Sequence, residues 1–239
     1  MNTPIASIWV YLSTSPLLWL TVTLAAYLAA DRLAASYGRP PLLNPVVVAA
    51  TLIVTLLLVT GTSYATYFEG AQFVHFMLGP ATVALAIPLW RNVARVRKAL
   101  LPMAAALIAG SLTAAASAVA IAWALGAPVE VLASLAPKST TAPIAMELSK
   151  SLGGIPSLTA VMVVMTGITG AVIVTPLMNA LKIRDFAARG FAAGVASHGI
   201  GTARAFQVSE IAGAFAGIAM GLNGALTSLL VLLWLVLVG

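Results

Sequence analysis

The chain has 239 residues, 61% of them hydrophobic and 8% charged; a soluble domain carries about 25% charged residues, so this composition belongs to a membrane protein. The net charge is +6, but the basic residues sit in short loops and offer no free basic surface, which argues against nucleic acid as a partner. With no cysteines, disulfides and thiolate metal sites are excluded.

Six stretches lack Asp, Glu, Lys and Arg: residues 1–30, 40–68, 70–90, 99–129, 151–181 and 211–239. Each is long enough for a helix of ~20 residues to cross a ~30 Å hydrocarbon core. Apolar runs are continuous rather than alternating, which argues for helices over a transmembrane barrel. The N-terminus has no basic signal-like region. Trp9 and Tyr11, followed by Ser15-Pro16, predict an interfacial helix before the first span.

Span one covers residues 17–30 and ends in a loop, 31–41, with Arg32 and Arg39. Span two, 42–59, opens on the helix-start pair Asn44-Pro45. Its exit loop holds Gly61, Ser63, Tyr64, Tyr67 and Glu69. Span three, 71–89, is interrupted at Gly79-Pro80 and at Pro88, where a kink is the ordinary outcome. The most basic loop follows, with Arg91, Arg95, Arg97 and Lys98. Span four, 100–125, is rich in Ala, Ser, Thr and Gly, which lets helices approach closely in lipid.

Residues 128–152 break the pattern. An apolar arm (129–135) meets the polar stretch Pro137-Lys138-Ser139-Thr140-Thr141-Ala142-Pro143. A second arm (144–152) then carries Glu147 and Lys150. Neither arm is long enough to span, and lipid tolerates such a break only where protein or a water-filled cavity surrounds it. Residues 155–181 form span five. The loop Lys182, Arg184, Asp185 and Arg189 is basic, and 186–206 repeats arm–break–arm around Ala196-Ser197-His198-Gly199-Ile200-Gly201-Thr202. Residues 211–238 form span six.

This layout predicts an all-α polytopic membrane protein with about six spanning helices plus two inverted re-entrant helical hairpins. Residues 1–127 act as scaffold-like helices and 128–239 as an inverted repeat of hairpin plus span. It gathers Arg32, Arg39, Arg91, Arg95, Arg97, Lys98, Lys182, Arg184 and Arg189 on one side, the cytoplasmic one by the positive-inside rule. Glu69, Glu130 and Lys150 face the other side, and both termini lie outside. Letting 128–152 cross the membrane would put Lys182–Arg189 outside, against the rule. The repeat rests on a shift of 54 residues, which lays Gly167-Ile168-Thr169-Gly170-Ala171 on Gly221-Leu222-Asn223-Gly224-Ala225 and one polar break on the other. Inverted repeats with broken helices are a transporter architecture.

At each break, helix ends leave backbone groups unpaired, and an N-terminus facing a cavity attracts a carboxylate. Thr140 or Thr141 is placed to cap the second arm. Gly199 and Gly201 permit backbone that bulkier residues resist. Lys138 puts a positive charge at membrane depth, where a partner or anionic ligand is expected. The expected substrate-binding set is Lys138, Ser139, Thr140, Thr141, Ser197, His198, Gly199, Gly201, Thr202 and Asn223. His198 and Glu147, the titratable residues beside the breaks, are the expected proton-coupling pair. Plainer roles compete: Lys138 pairing with Glu147 or snorkelling, His198 as a packing residue, Arg204 as an interfacial anchor, Asn223 as a bond between helices. Thr82 is a further candidate for the cavity wall, and His75 reads as structural. No metal cluster, nucleotide loop or catalytic triad is visible, so no cofactor and no enzymatic activity are expected.

Four stretches carry a family resemblance: Leu42-Leu43-Asn44-Pro45; Leu78-Gly79-Pro80-Ala81-Thr82-Val83-Ala84-Leu85; residues 137–145; and Ala196 through Arg204. In this order they are similar to signatures of the LrgB/CidB family, over roughly residues 16–233. Thr140 and the ending Leu232-Leu233-Trp234, where a proline is usual, depart slightly from the pattern. The resemblance implies two functions. Bacterial members are antiholin-like and are linked to murein hydrolase control and lysis. Plant relatives fuse an LrgA-like to an LrgB-like part and carry glycolate and glycerate across the plastid envelope, and some bacterial pairs are implicated in pyruvate transport. It also implies a separate LrgA/CidA-like small membrane protein as partner, and a bacterial inner-membrane location. The expected function is therefore a secondary-transport subunit for small monocarboxylates in the lipid bilayer, with a homo-oligomer as a further partner arrangement to test. The alternative is a holin-like regulator of lysis.

Overall fold

The computed structural model describes residues 15–40, 43–77, 80, 83–84 and 86–238, and among these the chain is helical, with no strand. It divides into two compact units, residues 1–84 and 85–239. The expected interfacial helix at Trp9 and Tyr11, the Gly79 and Thr82 positions, and the side chain of His75 lie outside the described residues.

In the first unit, α1 is Pro16–Ser36, α2 Pro45–Thr60 and α3 Tyr64–Phe76. Asn44 starts α2 as its sequence predicts: its Oδ1 accepts from the Val46 N–H at 2.9 Å, satisfying a donor that the first turn leaves unpaired. Other boundaries move. Asp31 and Arg32, expected in a loop, lie inside α1. Arg39 turns back, at φ 54°, and donates to both Asp31 carboxylate oxygens, at 2.6 and 3.2 Å, so the charge need not end the helix. Helix α3 begins at Tyr64, where a loop was expected. Ser63 Oγ accepts from the Thr66 N–H at 3.2 Å, an N-cap that the hydrophobicity pattern hides. Helix α2 has 16 residues, about 24 Å, short of a ~30 Å core. Trp19 is fully buried, edge-on to Tyr67.

The second unit holds α4 Ala86–Arg91, α5 Val93–Lys98, α6 Leu100–Ala124, α7 Val129–Leu135, α8 Ala142–Ser151, α9 Pro156–Ala180, α10 Phe186–Val208 and α11 Glu210–Val238. Within the expected span 71–89, α3 ends at Phe76 and Met77 forms a turn; residues 78–79, 81–82 and 85 lie outside the described residues. Four described helices, α1, α6, α9 and α11, are long and apolar enough to cross a membrane, against six expected spans.

Both polar breaks exist, and each reverses the chain. Helix α10 is interrupted at His198, at φ 39° and ψ −132°. Before the break, Gly190 lies on Ala212 and Gly194 on Ala216, so this arm runs parallel to α11. A Cβ at either glycine would strike the α11 backbone, so the small residues set the approach. After the break, Thr202 meets Met220 and Phe206 meets Gly213, so the chain runs back. Each arm has roughly 12 residues or fewer and measures at most about 18 Å. The first break repeats this arrangement on α9. Ser134 in α7 bonds Ile155 and Thr159, Lys138 and Met162 line one cleft, and Ser149 in α8 bonds Thr159.

The breaks do not superpose under the 54-residue shift. His198 falls on Ile144, inside α8, while residues 136–141 fall on helical residues 190–195 of α10. The starts of the long helices do coincide, Pro156 on Glu210. The core of the unit joins Met103 and Leu107 of α6, Phe191 and Val195 of α10, and Phe215 and Ala219 of α11.

Candidate functional site

A cleft of about 380 Å³ opens where the two breaks meet, lined by Lys138 and Ser139 from the first, Ala196 and Ser197 from the second, and Thr166 and Thr169 from α9. Ala114 closes it from α6. The sequence reading assigned Lys138, Ser139 and Ser197 to a site, and the fold brings these three together. It missed Thr166 and Thr169, because α9 reads as apolar all round. The one available signal is that Thr169 aligns with Asn223 in the repeat.

Ser197 is 1% exposed, and its Oγ has no hydrogen-bond partner among the described residues. A buried hydroxyl without a partner is costly in a protein interior, by about 1–3 kcal/mol. Gly170 makes room for it, since a Cβ there would lie on Ser197 Oγ. The half-buried Lys138 places Nζ 3.3 Å from Ser139 Oγ. No ion pair to Glu147 forms, and Glu147 is exposed on α8, away from the cleft wall.

The breaks are held by polar side chains. Asn223, 1% exposed on α11, donates through Nδ2 to the Ser139 carbonyl at 3.0 Å and the Val195 carbonyl at 3.3 Å. Its Oδ1 has no partner among the described residues. Asn223 therefore ties the two breaks together rather than lining the cleft. His198 is buried and sets Nε2 2.9 Å from the Val163 carbonyl; a carbonyl only accepts, so Nε2 carries the proton. Thr202 Oγ1 donates to the His198 carbonyl at 2.8 Å.

Several expectations change. Neither threonine caps α8: Thr141 occupies the N-cap without a side-chain bond, and Thr140 Oγ1 donates to the Pro137 carbonyl at 2.9 Å. That bond closes the turn at Pro137. The positive φ of the second break falls on His198, not on Gly199 or Gly201. Gly201 is instead a packing position, where a Cβ would meet the Ala193 carbonyl at 2.7 Å. Arg204 is 7% exposed and donates to Gln207 Oε1 at 3.3 Å, so it is not an exposed interfacial anchor.

A hydroxyl-lined cleft with one ammonium and no carboxylate on its wall is suited to a small anion. Among the described residues no His, Cys, Asp and Glu group could hold a metal ion. The family model that matches the chain is the LrgB-like family, over residues 23–237. The chain is 36% identical to the uncharacterized protein YxaC of Bacillus subtilis over 87% of its length and 90% of that protein's. It is 31% identical to the holin-like protein CidB of Staphylococcus aureus and 30% identical to that of Staphylococcus epidermidis, over 90% of its length and 93% of theirs. No solved structure matches the chain.

Proposed function

The chain belongs to the LrgB-like family of integral membrane proteins, and from that premise we propose that it is the subunit of a secondary transporter that binds small monocarboxylates, of the 2-hydroxy or 2-oxo acid kind. Glycolate, glycerate and pyruvate are the candidate substrates. The observation that carries this reading is the meeting of Lys138 and Ser197 in one cleft, with the Ser197 hydroxyl buried and without a partner among the described residues. A carboxylate would accept from both, through a charge-assisted bond to the ammonium and a second bond to the hydroxyl. Ser139, Thr166 and Thr169 would meet the 2-hydroxy or 2-oxo oxygen. Thr140, Thr141, Thr202, His198, Gly199, Gly201 and Asn223 would act one step back, by shaping the breaks.

The two chain reversals support re-entrant hairpins, because arms of this length cannot cross a ~30 Å core. Opposite insertion of the two hairpins would make an inverted repeat. Two contacts favour it: α9 receives the second break at Gly170, and α11 receives the start of α8 at Gly224, where a Cβ would lie 3.1 Å from Ile144 Cδ1. Gly170 and Gly224 are 54 positions apart. Residues 128–239 would then carry substrate and 1–127 would serve as scaffold, beside an LrgA/CidA-like partner or a second copy. The basic loops would face the cytoplasm across a bacterial inner membrane, with both termini outside.

The printed names of the staphylococcal relatives favour a second reading, a holin-like regulator acting through membrane permeability. Proteoliposomes separate the two. Saturable uptake of labelled glycolate or pyruvate, with or without the partner, supports transport. Release of trapped dye without saturable uptake supports the holin-like reading.

A further inference from the structure

Helix α6 is a candidate span, yet little of it is buried. Between it and the first arm of α10 runs an apolar groove of about 510 Å³, lined by Ala99, Met103, Ala106, Gly110, Phe191 and Val195 among others. Among the described residues, the only ionisable group on its wall is Asp185, at one end. That carboxylate is already engaged as an N-cap, accepting from the Ala188 N–H at 2.8 Å. Two cations flank the same end. Lys98 directly precedes groove-lining Ala99, Arg184 directly precedes Asp185, and both are exposed. Neither forms an ion pair among the described residues, whereas nearby Arg91 is paired with Glu210 at 3.5 Å.

We propose that this groove binds an anionic phospholipid, with an acyl chain along α6 and the headgroup phosphate between Lys98 and Arg184. The charge arrangement selects the occupant. An acyl chain needs no hydrogen-bonding partner along an aliphatic wall, and a phosphate supplies the counter-charge that two unpaired cations lack. Basic pockets at helix ends recognise anionic headgroups in this way. Arg95, Arg97 and Lys182 add to the local field, and all three are exposed. The groove also reaches the polar cleft, since Ala114 and Ala196 line both. A bound chain would therefore rest against the wall of the second break.

Full-length protein in detergent would be titrated with phosphatidylglycerol and, separately, with phosphatidylcholine of the same acyl chains, and Tm read for each. Phosphatidylglycerol is expected to raise Tm by several degrees more than phosphatidylcholine. The double variant Lys98→Gln/Arg184→Gln should lose that excess, and so should Ala106→Phe, which fills the groove from an exposed position. Equal shifts from the two lipids, or an excess that survives both changes, would overturn the proposal. Wild-type protein gives an independent reading with phosphatidylglycerol bearing a diazirine in its acyl chain. Cross-links are expected at residues 102–114 or 187–196, and cross-links confined to other segments, or to a partner protein, would also overturn it.

Discussion

The Asn223 carboxamide donates to the Ser139 carbonyl at 3.0 Å, across 84 positions of sequence, and the same nitrogen reaches the Val195 carbonyl at 3.3 Å. One side chain in α11 thus fixes the distance between two breaks from separate hairpins. Substitution by leucine should leave two buried carbonyls short of a donor, at about 1–3 kcal/mol each. Asn223→Asp should be worse, because it removes the donor and adds an acceptor facing acceptors. Thermal unfolding in mild detergent should rank wild type above Leu and Leu above Asp; equal stabilities would mean that the breaks are held elsewhere.

Two glycines on α9 and α11 should behave oppositely. A Cβ at Gly170 would displace Ser197 from the cleft, and overpacking of this kind costs about 1–3 kcal/mol. Nothing lies within 4 Å of a Cβ at Gly221, so alanine there should be neutral or stabilising by about 0.5–1 kcal/mol. Stability and uptake measured on Gly170→Ala and Gly221→Ala test this contrast.

Much of the second unit was legible in the sequence, since prolines and polar residues inside an apolar run have few places to go in lipid. Hence Lys138, Ser139 and Ser197 could be expected close together from the two breaks, and one cleft holds all three. The residue that takes the left-handed backbone could not be read this way. Propensity favours Gly199, but the cavity left by Gly167 accommodates the His198 imidazole, where a Cβ would lie 2.7 Å from Cε1. The Val163 carbonyl then holds the ring. Tertiary contact overrides local preference here. In the first unit, charges at Asp31 and Arg32 signalled a helix end, but their signal was cancelled by Arg39, eight residues from Asp31. The start of α3 was hidden for a related reason: it is capped from Ser63, inside the segment whose composition resembles a loop.

Topology can be tested in a chain that has no native cysteine. Single cysteines at Arg95 and Arg184 should react with a membrane-impermeant maleimide only from the cytoplasmic side, and one at Lys150 only from outside. All three positions are exposed. Labelling of Lys150→Cys and Arg95→Cys from the same side would contradict the inverted arrangement.

For coupling, a proton gradient is expected to drive uptake, with His198 and Glu147 as the groups to test, since histidine titrates near neutral pH. His198→Gln keeps an N–H for the Val163 carbonyl and removes the titration. It should retain downhill uptake and lose the pH response. Glu147→Gln is the parallel test on the exposed face of α8. Uptake in wild type that ignores a pH gradient and follows sodium would contradict proton coupling.

The central claim is that Lys138 and Ser197 hold the same carboxylate. It is tested most directly by the apparent affinity for glycolate or pyruvate in proteoliposomes containing wild type, Lys138→Ala, Ser197→Ala or the double variant. Loss of the charge-assisted bond from Lys138 should weaken affinity roughly 10- to 150-fold, from ~1.5–3 kcal/mol. Loss of the Ser197 bond should cost up to about tenfold, and the double variant should lose less than the two combined, as expected for groups sharing a ligand. Lys138→Ala should fold normally, because no ion pair is broken. Folded Lys138→Ala protein that binds substrate with wild-type affinity would contradict the account.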